Sequence, residues 1–293
     1  MDKNRIKINE SKLFKILLMI ALIINDLEYY SKMIYLQKKA IKQLKIFIMT
    51  HKDFNNLRKN KIYNIVADDN SQLKNKYNLN VIYADKGELY NLRRGYGEMS
   101  KLYFIFQLYQ NKSITSKYIG LNHYNRYFIF TDNIPNLDDI FENYDVILNE
   151  PLNFDINIRD IYCITHICNN FDEILEIIKE IKPLYYETAL EVANSTDLYA
   201  CNMFIMKKED FFHYCKFIFD ILLEFDKRNN FTSDDDVLRY VKKYFNDSRD
   251  VYYQSRMQGF LAERIGNIFF MKYFKKIKQF NIIYKNRRYL NQQ

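Results

Sequence analysis

Residues 118–130 read YIGLNHYNRYFIF, and how this stretch is read decides the fold. Its two ends are apolar and aromatic, as in a strand buried on both faces. Its middle, His123-Tyr124-Asn125-Arg126, places one of only four histidines and an arginine inside that run. Strands buried on both faces belong to α/β sheets, which bind ligands beyond the carboxyl ends of their strands. Arginine offers a planar fork of donors to phosphate or carboxylate oxygens. Histidine donates to an anion or takes a proton near neutral pH. The bland alternative is a strand whose alternate residues face solvent, with Arg126 simply exposed.

Similar runs lie on either side. LKIFIM (Leu44–Met49) is a compact strand followed by Thr50-His51, YNIVADD (Tyr63–Asp69) ends in two acids, and NVIYAD (Asn80–Asp85) is a third strand. DVILNE (Asp145–Glu150) and LYACNMFIM (Leu198–Met206) follow the opening stretch. Helical spacing joins these strands. Met99, Leu102, Tyr103, Phe106 and Tyr109 lie on one helix, and further helices run from about Glu209 to Phe225 and from Gly259 to Phe274. NFDEILEIIKEI (Asn170–Ile181) is amphipathic, with Asn170 as N-cap and Glu173 as its capping-box partner. The alternation predicts an α/β fold: a layered, largely parallel sheet with helices on both faces. Thr50, His51, Asp68, Asp69, His123, Arg126 and Asn202 then fall at or near strand ends.

The chain has 293 residues, 48% of them hydrophobic, enough for one large core or two small ones. Its net charge of +8 is uneven: residues 1–61 carry +9, residues 271–293 carry +7, and the body between them is acidic at −8. Basic ends suit an anionic membrane surface, or are solubilising tails. The acidic body and the lack of a recognition motif argue against nucleic acid. The longest apolar run, Ile16 to Ile24, is too short to span a bilayer. It is expected to form an interfacial helix or one packed on the core. Cys163, Cys168, Cys201 and Cys215 form no zinc or Cys-x-x-Cys spacing, so free thiols in a reducing compartment are expected. Glycine-rich phosphate loops, GxSxG and HExxH are all missing from the sequence.

Five blocks together resemble one bacterial family, domain of unknown function 4422. YIGLNHYNRYF (118–128) is similar to its "GLCHYRRYF" strand and KIFIMTHKDF (Lys45–Phe54) to its first strand. GYGEMSKLYFIFQ (Gly95–Gln107), NMFIMKKEDFFHYCKFIFDIL (Asn202–Leu222) and RMQGFLAERIGNIFF (Arg256–Phe270) resemble three further blocks in the expected order. The likeness covers about 44–270, so the chain divides into a basic helical extension (1–43), the α/β domain (44–270) and a basic tail (271–293). Asn125 stands where the family's stretch has its first arginine, and the segment before Glu98 departs from the family pattern.

The resemblance implies a GT-A-like fold and a glycosyltransferase of surface polysaccharide synthesis, capsular or lipopolysaccharide. It would move a sugar from a nucleotide-sugar to a polysaccharide or lipid-linked acceptor. Its expected place is cytoplasmic, peripheral at the inner face of the plasma membrane. The departures motivate a second reading, a catalytically degenerate homologue that only binds. Loss of a nucleoside diphosphate develops charge on phosphate oxygens, which fixed cations or a divalent metal (Mn²⁺ or Mg²⁺) must neutralise. Thr50, His51, His123, Tyr124, Arg126, Asn202 and Arg256 are the candidate donor-binding residues. Glu98, Glu263 and Asp197 are the candidate bases. Asp68-Asp69 and Asp234-Asp235-Asp236 are the metal alternatives. For the latter run the expectation is structural, with Ser233 as an N-cap and the acids filling the first helical turn.

Overall fold

The structure, a computed structural model, describes residues 42–51, 61–69, 80–128, 134–245 and 250–284, with some positions between 24 and 39. The expected metal alternative Asp69 is among these residues, and most of the Ile16–Ile24 run lies outside them. In chain order come β1 (Leu44–Thr50), β2 (Tyr63–Ala67), β3 (Asn80–Tyr83), α1 (Arg93–Tyr96), α2 (Glu98–Gln110), β4 (Tyr118–His123) and β5 (Arg126–Phe128). Then follow α3 (Leu137–Asn143), β6 (Val146–Asn149), β7 (Leu152–Asn153), α4 (Ile158–Thr165), α5 (Cys168–Ile181), α6 (Tyr186–Asn194) and β8 (Asp197–Leu198). The chain continues with β9 (Phe204–Lys207), α7 (Lys208–Asn229), α8 (Asp234–Tyr244), α9 (Val251–Gln254), α10 (Met257–Tyr273), β10 (Ile277–Phe280) and β11 (Ile282–Tyr284).

The main sheet runs β10-β6-β9-β4-β1-β2-β3. β1 pairs in parallel with β2 and β4, β2 with β3, and β10 with β6; β9 is antiparallel to both of its neighbours, β4 and β6, and off this path β5 is antiparallel to β4 and β11. The sheet is therefore mixed rather than simply parallel. Its strands are apolar throughout because both faces are covered. Leu121 lies opposite Phe204, whose ring packs 4.9 Å from Tyr214 of α7, so β4's odd-numbered residues face the thick helical layer. α2 joins that layer through Tyr103 and Phe219, 4.7 Å apart. On the other face Tyr118 stacks 4.5 Å from Phe141 of α3. There Asp138 accepts from Lys117 (2.6 Å), Tyr118 (2.8 Å) and Gln43 (3.3 Å) and pairs with Lys39 at 2.6 Å. The described residues between 24 and 43 are helical, as expected of the extension, and this carboxylate ties them to the sheet.

Several sequence expectations change. YIGLNHYNRYFIF does not run as one strand: β4 stops at His123, Tyr124 and Asn125 make the turn, and Arg126 begins β5 opposite His123. LYACNMFIM likewise breaks, with Cys201 and Asn202 at φ +76° and +48° in a turn between β8 and β9. The stretch from 271 holds the end of α10 and two strands, so residues 277–284 belong to the sheet and not to a tail. β11 pairs with β5, bringing Tyr284 opposite Arg126. Asn170 is no cap: α5 begins at Cys168, and Asn170 is buried inside it, accepting from Tyr240 at 2.6 Å. Cys163 and Cys168 form a disulfide across the α4–α5 turn, whose five-residue separation brings their Cα atoms within 4.1 Å; Cys201 and Cys215 are free and buried. Among the described residues no helix is long and apolar enough to cross a membrane.

Candidate active-site cleft

β1, β2 and β4 are parallel, so Thr50, Asp68 and His123 reach the same edge of the sheet. β9 runs the other way, and its beginning rather than its end meets that edge. This reversal sets Asn202 beside His123. A cleft of about 640 Å³ opens there, lined by Thr50, His51, Asp68, Glu98, Lys101 and the hairpin 123–126, with Arg93, Arg94, Asp234, Tyr252 and Arg256 on its far wall.

Glu98 is the centre of the arrangement. Gly97 precedes it at φ +57°, a conformation that favours glycine, and a β-carbon there would lie 3.6 Å from the Arg256 guanidinium. Asn202 Nδ2 donates to Glu98 Oε1 at 2.9 Å. His123 Nε2 stands 3.6 Å from the same oxygen, and Arg256 stands 3.7 Å from Oε2. Burial pushes this carboxyl up, but His123, the Asn202 hydrogen bond and Arg256 together hold it below its ordinary value. Glu98 is therefore a fixed anion and a weak base.

The turn that delivers Asn202 is itself clamped. Cys201 N donates to Glu263 Oε1 at 2.9 Å, and Glu263 Oε2 accepts from Arg264 at 2.9 Å. Asn267 accepts from Tyr199 N at 2.8 Å and donates to Tyr199 O at 3.0 Å. These bonds from α10 hold two non-glycine residues at positive φ, which costs of order 1–2 kcal/mol each for ordinary side chains and less for Asn. The Cys201 carbonyl in turn accepts from His123 Nε2 at 2.8 Å. A carbonyl only accepts, so Nε2 carries the proton, and Nδ1 of the neutral ring is the acceptor atom. Burial pushes the Cys201 thiol up to about 12, which favours the neutral thiol.

Of the residues expected from sequence, Thr50, His51, His123, Tyr124, Arg126, Glu98 and Arg256 all line the cleft, and Asn202 reaches it through Glu98. Glu263 does not line it, and its two oxygens serve Cys201 and Arg264. Asp197 lies apart, exposed in the small β7–β8 sheet, accepting from Asn153 at 2.7 Å. Asp68 forms an ion pair with Lys101 at 2.6 Å. Ser233 is the N-cap expected and with Asp236 forms a capping box, while Asp234 accepts from the backbone N of Arg94 (2.9 Å) and Gly95 (3.4 Å). Among the described residues no three His, Cys, Asp or Glu side chains are grouped as metal ligands.

Sequence reasoning missed Lys101, Arg93, Arg94 and Tyr252 as lining residues. One signal for Lys101 was present: it follows Glu98 by three residues, so both occupy one face of α2. With these residues the cleft carries five Lys/Arg side chains against three carboxylates. A body that is acidic overall thus places a cationic concavity at its strand ends, suited to an anion.

Beneath the cleft wall, α1 and α10 touch closely. A side chain at Gly95 would collide with Gln258. Buried Asp226 of α7 accepts from Tyr96 at 2.6 Å and Gln258 at 2.8 Å, and burial pushes its carboxyl up to about 6.

The fold is shared with a solved structure, the bifunctional glycosyltransferase WbbM in its apo form, at a TM-score of 0.63 and 18% identity. The match covers 84% of this chain and 46% of that one, so this chain spans under half of that protein's length. The layered α/β architecture expected from sequence is thus the GT-A-like one. No curated protein matches the chain. The family model described as domain of unknown function (DUF4422) matches residues 45–276, and the chain belongs to that family.

Proposed function

We propose that the protein is a glycosyltransferase that takes a sugar from a nucleoside-diphosphate donor. The observation that carries this reading is the cationic cleft at the carboxyl edge of β1, β2 and β4, with His123 and Arg126 at its floor. A departing nucleoside diphosphate leaves negative charge that preorganised donors stabilise. Arg126 and the protonated form of His123 face the phosphates, Glu98 orients His123, and Asn202 fixes Glu98. A divalent metal such as Mn²⁺ or Mg²⁺ would add to that neutralisation. The fold likeness to a glycosyltransferase supports the reading at the level of architecture.

The acceptor in this reading is a growing surface polysaccharide or a lipid-linked sugar, as in capsule or lipopolysaccharide synthesis. The site of action is the cytoplasmic membrane face, reached through the basic N-terminal region. Nucleic acid is no partner.

Hydrolysis of UDP- and GDP-sugars, with and without Mn²⁺, tests the activity. Turnover that falls at least about 100-fold in both His123→Ala and Arg126→Ala supports it, by the scale of lost charge stabilisation; wild-type rates in both variants overturn it. Co-sedimentation of the full chain with anionic but not zwitterionic vesicles tests the location.

One observation favours a second reading, a homologue that binds donor without turnover. Asn125 lines the cleft at the hairpin turn where the family's stretch carries arginine. UDP binding without any donor hydrolysis, and turnover gained by Asn125→Arg, would support it.

A further inference from the structure

We propose that the mouth of the cleft is a second subsite, built by Arg94, Tyr252 and Arg256, that holds a sugar carrying an anionic group. In the reading above this ligand is the acceptor, and only that word rests on it.

Tyr252 is the observation that starts the argument. It lines the cleft yet remains 61% exposed, a large ring presented to solvent among charged side chains. The Arg94 guanidinium lies 5.2 Å from its centroid, and among the described residues that guanidinium makes no ion pair. The Arg256 side chain is 43% exposed, stands 3.7 Å from Glu98, beyond hydrogen-bond reach, and rests 5.6 Å from the Phe260 ring. Arg94 thus lies by an exposed ring, and Arg256 lines the same cleft with donors that no carboxylate takes up within hydrogen-bond distance.

This wall is fixed in place. Asp234 at the start of α8 holds the backbone N of Arg94 and Gly95, and Asp250 caps α9 through Tyr252 N at 2.9 Å and Tyr253 N at 3.3 Å. The floor cations His123 and Arg126 sit on a different element, the β4–β5 hairpin. A cleft with cations on two separate elements has more than one place for negative charge.

The chemistry selects the ligand class. The ring face of tyrosine is negative and attracts the partly positive C–H face of a sugar. The flanking guanidinia suit a phosphate or carboxylate attached to that sugar. A neutral sugar would use the ring and leave both arginines unmatched.

Glucose 1-phosphate, glucuronic acid and glucose are the probes, titrated by saturation-transfer NMR onto the full chain with UDP saturating the floor. The phosphate and carboxylate arms distinguish the two sources of charge. At least one anionic sugar should bind about tenfold more tightly than glucose and weaken about tenfold in Tyr252→Ala and Arg94→Ala, while Tyr252→Phe stays within about twofold. UDP affinity should be unchanged in all three variants. Equal binding of the anionic and neutral sugars, or no loss in Tyr252→Ala, overturns the proposal. So does an equal loss of UDP affinity, which would make Tyr252 part of the floor site. If UDP fails to bind the wild type while an anionic sugar binds through Tyr252, the subsite stands and the nucleotide-sugar reading falls.

Discussion

Asp138 and Glu98 are each a carboxylate that gathers donors, at opposite ends of the same strand. Asp138, at the amino edge of β4, is satisfied: Lys39, Lys117, Tyr118 and Gln43 all reach it at 2.6–3.3 Å. Glu98, at the carboxyl edge, has one side-chain hydrogen bond, from Asn202 at 2.9 Å, with His123 and Arg256 held off at 3.6 and 3.7 Å. Both carboxyls are held below their ordinary values. Asp138 owes this first to its hydrogen bonds with Lys117 and Lys39, and Glu98 owes it to His123, Asn202 and Arg256 acting against burial. The difference is what remains available. The donors around Asp138 are consumed in holding layers together, whereas Arg256 retains donors for a ligand. A saturated hub is architecture, and an under-coordinated one is a site.

The sharpest way to break this comparison is to exchange the consequences of the two carboxylates. Glu98→Gln should lower donor turnover by about 100-fold, as loss of an orienting charge does, with little change in melting temperature. A large melting shift with intact turnover would make Glu98 another Asp138.

Asp226 provides a third carboxylate with the opposite shift, and the next largest effect. Its folded value, about 6, lies above the unfolded one, so the fold favours the neutral form. Its contribution to stability is full below about pH 4 and lost as pH rises through 6, a change of at most about 3 kcal/mol. Asp226→Asn should therefore gain on the wild type between pH 4 and 7 in thermal unfolding. A constant difference across that range would contradict the assignment.

Asp138→Asn should cost about 1–2 kcal/mol at pH 7 while sparing turnover. Its folded value is depressed, so the wild-type advantage is present above the unfolded value of about 3.9 and shrinks as pH falls below it. Melting curves of both proteins from pH 7 to 3 check this.

The smallest stability effect is expected from Asn202→Gly. Glycine adopts φ +48° freely, offsetting the lost hydrogen bond to Glu98, so the melting temperature should move by about a degree or two. Turnover should fall about tenfold, because the amide is the side chain that hydrogen-bonds Glu98 directly. Unchanged turnover would assign the turn a purely structural role.

Much of this was legible from the sequence. The apolar runs gave β1, β2 and β3 to within two residues and the start of β4, and strand-end logic found Thr50, His51 and His123. The direction of β9 was not legible, because an apolar run looks the same whichever way it is threaded. The break at Tyr124-Asn125 was hidden for a related reason. The turn contains neither glycine nor proline, the residues that usually mark one. Asn170 misled because a residue that caps helices can equally be buried inside one, given a partner such as Tyr240. Arg94, Tyr252 and Asp234 were unreadable as a group. Nothing local links positions some 140–160 residues apart, and they meet only because Asp234 ties α1 to α8.

The pairing of β11 with β5 bears on how the molecule is made. The hairpin that carries His123 and Arg126 is local and can close as soon as it is synthesised, yet its outer neighbour comes from residues 282–284, more than 150 positions later. Until then β5 is a bare sheet edge, the kind of surface that recruits strands from other chains. The family match stops at residue 276, ahead of that strand. A chain cut at Lys276 would hold every cleft side chain named above and still leave the strand of Arg126 open to aggregation.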